Sequence, residues 1–245
     1  MLSVNQVTQY TEKGYVVPDY RLSPDVIEEI KAAHARLIDK HPEFSDYCGA
    51  LLIHDLSFLN YARDQTILDM VSQVIGQNIA LWNSSLFAKP AKVGTRTPWH
   101  QDGEYWPIRP LATCTVWIAL DDATTENGCL RLLPGSHKSK KVESHHFNNS
   151  KDIALSLELD GQHVNESEAV NLELKSGQMS LHDVFLMHAS DANRSDHPRR
   201  GMTLRYMPTS SEYQKHLNKS PIDDQRPLFL VRGIDESGKN DFRLR

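Results

Sequence analysis

The spacing of hydrophobic positions changes once along the chain, and the change divides it. Before residue 79 apolar residues recur at helical intervals. Residues 4–12 do so weakly, Gly14 closes them, and Tyr15-Val16-Val17 ahead of Pro18 predicts a short strand. Ser23 and Pro24 supply an N-cap and a first-turn proline, and Ile27, Ile30, His34, Leu37 and Ile38 share one side as far as His41-Pro42. Ile67, Leu68, Val71, Val74 and Ile75 predict another helix, closed by Gly76. Residues 48–60 mix apolar positions with His54 and Asp55, which suits either a loop or a segment lying over a pocket.

From Ile79 the period becomes two. Residues 79–89 read as a strand with Asn83, Ser85, Phe87 and Lys89 on one face, ended by Pro90. Further strands are predicted around His100 and over 113–120, 129–133, 172–174, 179–188 and 201–207. Turn signals stand at Asn127-Gly128, Pro134-Gly135 and Ser176-Gly177. Residues 138–171 are polar and poor in aromatics, a long excursion expected to be partly mobile and a candidate lid. Helices first and short strands after them predict a mainly β jelly roll with N-terminal and flanking α-helices, one domain over residues 1–245.

The net charge of −5 gives no electrostatic drive toward nucleic acid or anionic membranes and leaves a small molecule as the expected partner. Cys48, Cys114 and Cys129 are odd in number and at no metal-ligand spacing, so no disulfide framework is expected and a reducing cytoplasm fits. No signal-like segment or apolar run of the ~20 residues that span a bilayer is present. The expectation is a soluble cytoplasmic protein, monomer or homodimer.

The chemistry centres on Trp99-His100-Gln101-Asp102. Residues i and i+2 of a strand project from one face, so His100 and Asp102 converge and supply two-thirds of a metal site. A second histidine must come from elsewhere, His182 or His188. On a continuous strand these would stand about 20 Å apart, so only one of them can be the ligand.

Five ordered motifs carry a resemblance: His100-Gln101-Asp102, Trp117-Ile118-Ala119-Leu120-Asp121, Asn127-Gly128-Cys129-Leu130, Pro134-Gly135-Ser136-His137, and His188 followed by Arg199. With them the chain, from its N-terminal helix to about Pro208, resembles the phytanoyl-CoA dioxygenase family of Fe(II)/2-oxoglutarate oxygenases. The resemblance implies a double-stranded β-helix of cupin-like form, Fe(II) held by His100, Asp102 and His188, and 2-oxoglutarate and O₂ as co-substrates. It places Arg199 on the distal carboxylate of 2-oxoglutarate with Ser190 assisting, Thr97 and Trp117 in the co-substrate pocket, and further polar contacts at Asn83, Ser85 and Lys89. His182 is then expected to be a satisfied structural histidine, and His145-His146 to sit on a flexible loop.

Glu104, Tyr105, Trp106 and Arg109 follow the ligand pair directly and, with His54, are the candidate substrate contacts. No basic cluster or Gly-rich loop suits coenzyme A. The expected reaction is hydroxylation of a C–H bond in a small polar metabolite with release of succinate and CO₂. Its alternatives are oxidative cyclisation, desaturation or epimerisation, a non-catalytic metabolite-binding jelly roll, and a cupin that uses another metal.

Overall fold

The change of period is a change of layer. In the computed structural model, which describes residues 1–217 and 225–243, the helices Val4–Lys13, Pro24–Lys40 and Gln65–Ile75 cover one face of a seven-stranded antiparallel sheet. The strands run in the order Tyr15–Val16, Met179–Asp183, Cys114–Ala119, Arg199–Pro208, Ile79–Lys89, Phe229–Arg232, and Tyr47–Cys48 also pairs with Ile79–Lys89. A second antiparallel sheet, Val170–Leu172, Leu130–Leu132, His188–Ser190 and Thr97–His100, completes the double-stranded β-helix.

Helix boundaries follow local chemistry. Ser3 and Gln6 form a capping box, the Ser23 side chain accepts from the amide of Val26, and Gly14 takes the left-handed conformation that ends the first helix. Strand alternation then sorts the central sheet into two faces. Val116, Ile118, Leu181, Met202 and Leu204 join Ile27, Ile30, Ile67 and Leu68 in the core beneath the helices. Each such side chain contributes about 1.5–3 kcal/mol when fully buried. The residues between them, Thr115, Trp117, His182, Thr203 and Arg205, face the space between the sheets.

Two departures from simple alternation shape that space. Trp82 is skipped in the pairing of Ile79–Lys89 with Arg199–Pro208, so Leu81 and Leu86 both reach the outer core although their parity differs. The strand expected over 179–188 is broken. The Asp183 carboxylate accepts from the Phe185 amide and the Asp183 carbonyl from the Leu186 amide, and this turn carries the chain from one sheet to the other.

Residues 48–60 form the short helix Leu51–His54 and most of the 3₁₀ segment Leu56–Arg63. Within 138–171, His145–Phe147 and Leu157–Leu159 pair as a hairpin. Tyr105 Oη donates to Leu157 O at 2.9 Å and accepts from Leu157 N at 3.2 Å. All three cysteines are free and buried. Among the described residues no helix is long and apolar enough to cross a membrane.

Candidate metal centre and the cavities beside it

His100 ends the strand Thr97–His100, Gln101 stays extended, and Asp102 opens the 3₁₀ turn Asp102–Glu104, so the i, i+2 convergence survives the end of the strand. Gln101 is immobilised between them. Its amide donates to His145 Nε2 at 3.1 Å, its Nε2 to Phe185 O at 2.7 Å and Lys141 O at 3.0 Å, and its Oε1 accepts from Glu143 N at 2.8 Å. His145 is thus a structural strut in the hairpin, where a flexible loop was expected.

His188 pairs with His100 across the second sheet, their ring centroids 4.1 Å apart. One ligand atom each from His100, Asp102 and His188 lie within 4.8 Å of one another, all three side chains buried. Nδ1 of His100 bonds to Pro98 O and Nδ1 of His188 to Leu186 O, each at 2.9 Å. A carbonyl can only accept, so both rings carry their proton on Nδ1 and offer the Nε2 lone pair. Burial lowers the pKa of both imidazoles and favours this neutral form.

Burial alone would raise the Asp102 carboxyl, but the adjacent His182 and the Arg205 cation hold it below the ordinary range, ionised for a cation. Thr115 Oγ1 donates to Asp102 Oδ2 at 3.2 Å, whereas Oδ1 faces His100 Nε2 at 3.8 Å. Two expectations for His182 are corrected here. Because the strand turns at Asp183, the His182 ring lies 5.0 Å from that of His188, where a continuous strand would separate them by about 20 Å. Nor is His182 satisfied: neither ring nitrogen has a hydrogen bond, and Nε2 stands 3.6 Å from Asp102 Oδ2, beside the ligand set and outside it.

Thr97, Trp117, Ser190 and Arg199 line one narrow cavity with the three ligands. Arg199 is 2 % exposed; Nη1 donates to Phe87 O at 3.2 Å, Nε has no partner, and burial lowers its pKa to about 10. A buried guanidinium left in this state is a receptor for an anion. Its position is set by the Trp117 ring, whose centroid is 5.5 Å from Arg199 Cζ. Trp117 lies flat over Gly201, where an added Cβ would come within 2.2 Å of the indole. Gly201→Ala is therefore expected to displace Trp117 and Arg199 together. If Arg199 holds the 2-oxoglutarate that the family resemblance implies, the KM for it should rise about tenfold or more while iron stoichiometry holds, as steady-state kinetics and metal analysis would read.

Asn83, Ser85 and Lys89 are placed outside this cavity. The Lys89 amine donates to Thr95 O, and burial, with Arg199 beside it, lowers its pKa to about 6. Ser85 bonds to Arg205 and Gly49, and Asn83 Nδ2 donates to Gly49 O at 3.0 Å.

A larger cavity of about 470 Å³ opens on the other side of Asp102. His54, Tyr105 and Trp106 line it, with Asn83; Glu104 and Arg109 do not. Arg109 is exposed and donates to the carbonyls of Trp106 and Ile108. Phe87, Thr115, Thr203 and Arg205 also line the narrow cavity and were not expected as site residues. For Thr203 and Arg205 a signal was present, since they share the strand parity of Arg199.

The family model described as Phytanoyl-CoA dioxygenase (PhyH) matches residues 10–201. A phytanoyl-CoA dioxygenase domain-containing protein 1 homolog from Dictyostelium discoideum is 29 % identical over 213 residues, 84 % of this chain and 68 % of that protein. Among solved structures, the non-heme monooxygenase ThoJ superposes with TM-score 0.77 at 24 % identity, covering 97 % of this chain and 87 % of ThoJ. The epimerase SnoN, in complex with Fe³⁺, alpha ketoglutarate and nogalamycin RO, superposes with TM-score 0.71 at 20 % identity over 98 % and 92 %.

Proposed function

The chain belongs to the phytanoyl-CoA dioxygenase family and is an Fe(II)/2-oxoglutarate-dependent oxygenase, and from that premise we propose that it hydroxylates a C–H bond of a small polar metabolite. One oxygen atom of O₂ enters the product and the other the succinate formed from 2-oxoglutarate, with loss of CO₂. The observation that carries this reading is a buried His100–Asp102–His188 set whose adjoining cavity is also lined by Arg199, a buried cation with Nε unpartnered and no ion pair to a carboxylate among the described residues.

The residues fit the metal: two imidazoles with free Nε2 lone pairs and one ionised carboxylate are the ligand type that binds non-haem Fe(II) with open positions. Bound there, the iron supplies O₂ activation coupled to oxidative decarboxylation of the 2-oxo acid. The chain's own work is positional. Gln101 and His145 hold the His100–Asp102 spacing, and Thr115 fixes the outer oxygen of Asp102. Arg199, steadied on Trp117, offers a planar fork to the distal carboxylate, and Ser190 lines the same cavity. The hairpin pinned by Tyr105 shields the site from water and serves as the lid.

The test is anaerobic addition of Fe(II) and 2-oxoglutarate to metal-free protein. The weak visible charge-transfer band of the chelate should appear in the wild type and be lost in Asp102→Ala. A folded wild-type protein that gives no band would sink the proposal and favour a non-catalytic or other-metal jelly roll.

A further inference from the structure

Asp102 and Arg205 are the two residues that line both the narrow cavity and the larger one. Asp102 is committed to the metal, but Arg205 has no such assignment. The residue is 6 % exposed, and its guanidinium makes one hydrogen bond, from Nη1 to Ser85 Oγ at 2.7 Å, and leaves Nε without a partner. No ion pair joins it to a carboxylate among the described residues, although an arginine is permanently charged.

The group is also held still. Its Cζ lies 5.3 Å from the Trp106 ring centroid and 5.9 Å from that of Phe87. Ser85 Oγ is anchored in turn by donating to Gly49 O at 3.1 Å. A preorganised guanidinium with an unused edge, on a cavity wall, suits a carboxylate or a phosphate.

We propose that Arg205 anchors the substrate and that the substrate is an anion, a carboxylate or phosphate ester, held from the larger cavity. This rests on the oxygenase reading above and gives it a substrate class. In the loaded site Asp102 faces the metal and Arg199 the distal carboxylate of 2-oxoglutarate; of the two arginines that line the larger cavity, Arg226 donates to Gly49 O at 2.7 Å, and Arg205 is the one that also borders the metal-side cavity, with Nε unpartnered. Tyr47, Trp82, Tyr105 and Trp106 give the same cavity flat apolar walls for the rest of the molecule. Because Arg205 shares its wall with Asp102, the carbons next to the bound anion are those brought to the metal.

The test uses the anaerobic Fe(II) protein saturated with 2-oxoglutarate, titrated by calorimetry with matched probes: phenylacetate against phenylacetamide, and phenyl phosphate against phenol. Wild type should bind at least one anion about tenfold or more tighter than its neutral partner, and the pair that responds distinguishes carboxylate from phosphate. Arg205→Gln should erase the preference while the chelate band still saturates at the same 2-oxoglutarate concentration. Arg205→Lys, which keeps the charge without the fork, should retain a weakened preference, and it carries the test if the glutamine variant does not fold. Equal binding of charged and neutral probes by the wild type, or an unchanged preference in Arg205→Gln, overturns the proposal. So does loss of the chelate band in Arg205→Gln, which would give this cation to the metal and co-substrate site, through Asp102 or 2-oxoglutarate, in place of the substrate. A wild-type band without anion preference removes the substrate assignment and leaves the oxygenase standing; absence of the band removes both.

Discussion

His188→Ala should yield a folded protein that no longer retains iron and turns over no 2-oxoglutarate, whereas His182→Ala should keep one iron per chain. Both histidines are buried in the same pocket with rings 5.0 Å apart, so burial does not distinguish them. Orientation does. His188 has its Nδ1 proton taken by Leu186 O and directs Nε2 to the side where His100 and Asp102 meet. His182 approaches the outer oxygen of Asp102 instead. Removing a group that steadies a ligand typically costs metal affinity about 10–100-fold, while removing the ligand from a three-ligand site destroys it. Competition with a chelator, followed by metal analysis and by the cobalt(II) absorption spectrum, separates the two cases. Iron lost from His182→Ala and kept by His188→Ala would exchange their roles.

The second large effect has two signs. Arg199→Met should raise the KM for 2-oxoglutarate on the order of a hundredfold, from loss of a desolvated charge pair. In the absence of 2-oxoglutarate the same variant should melt at a higher temperature than the wild type. The native guanidinium is buried with Nε unpartnered and its pKa lowered by desolvation, so it costs stability until an anion arrives. Each kcal/mol relieved is worth about 2–4 °C in a chain of this size. Arg199→Lys keeps a charge but not the fork, and should fall between the two in affinity. Melting curves with and without 2-oxoglutarate read both signs; a variant less stable than wild type without co-substrate would show Arg199 to be structural.

What could be read from the sequence alone was what depends on short-range chemistry. The change of period at residue 79, the Ser23-Pro24 cap, Gly14 and Gly76 as helix ends, and the His100–Asp102 spacing are consequences of local steric and hydrogen-bonding rules. The face holding Asn83, Ser85, Phe87 and Lys89 was also legible, because alternation is strict beyond the Trp82 bulge. The ordered motifs added the family, and with it the distal histidine that spacing left open between two candidates.

Tertiary structure decided what depends on which strands become neighbours. A four-residue turn after Asp183 puts His182 and His188 on opposite sheets and brings their rings together, which no periodicity records. Pairing of Arg205 with Thr115 and Asn83, and of Thr115 with His182, lays a row of polar side chains under Asp102 from four separate strands. Each alternation pattern specifies only that its residue faces inward. Whether an inward cation meets a carboxylate, a ring or an open cavity is set by the neighbouring strand, and for Arg205 that neighbour is Ser85, which takes one Nη1 bond and leaves Nε without a hydrogen-bond partner beside the larger cavity.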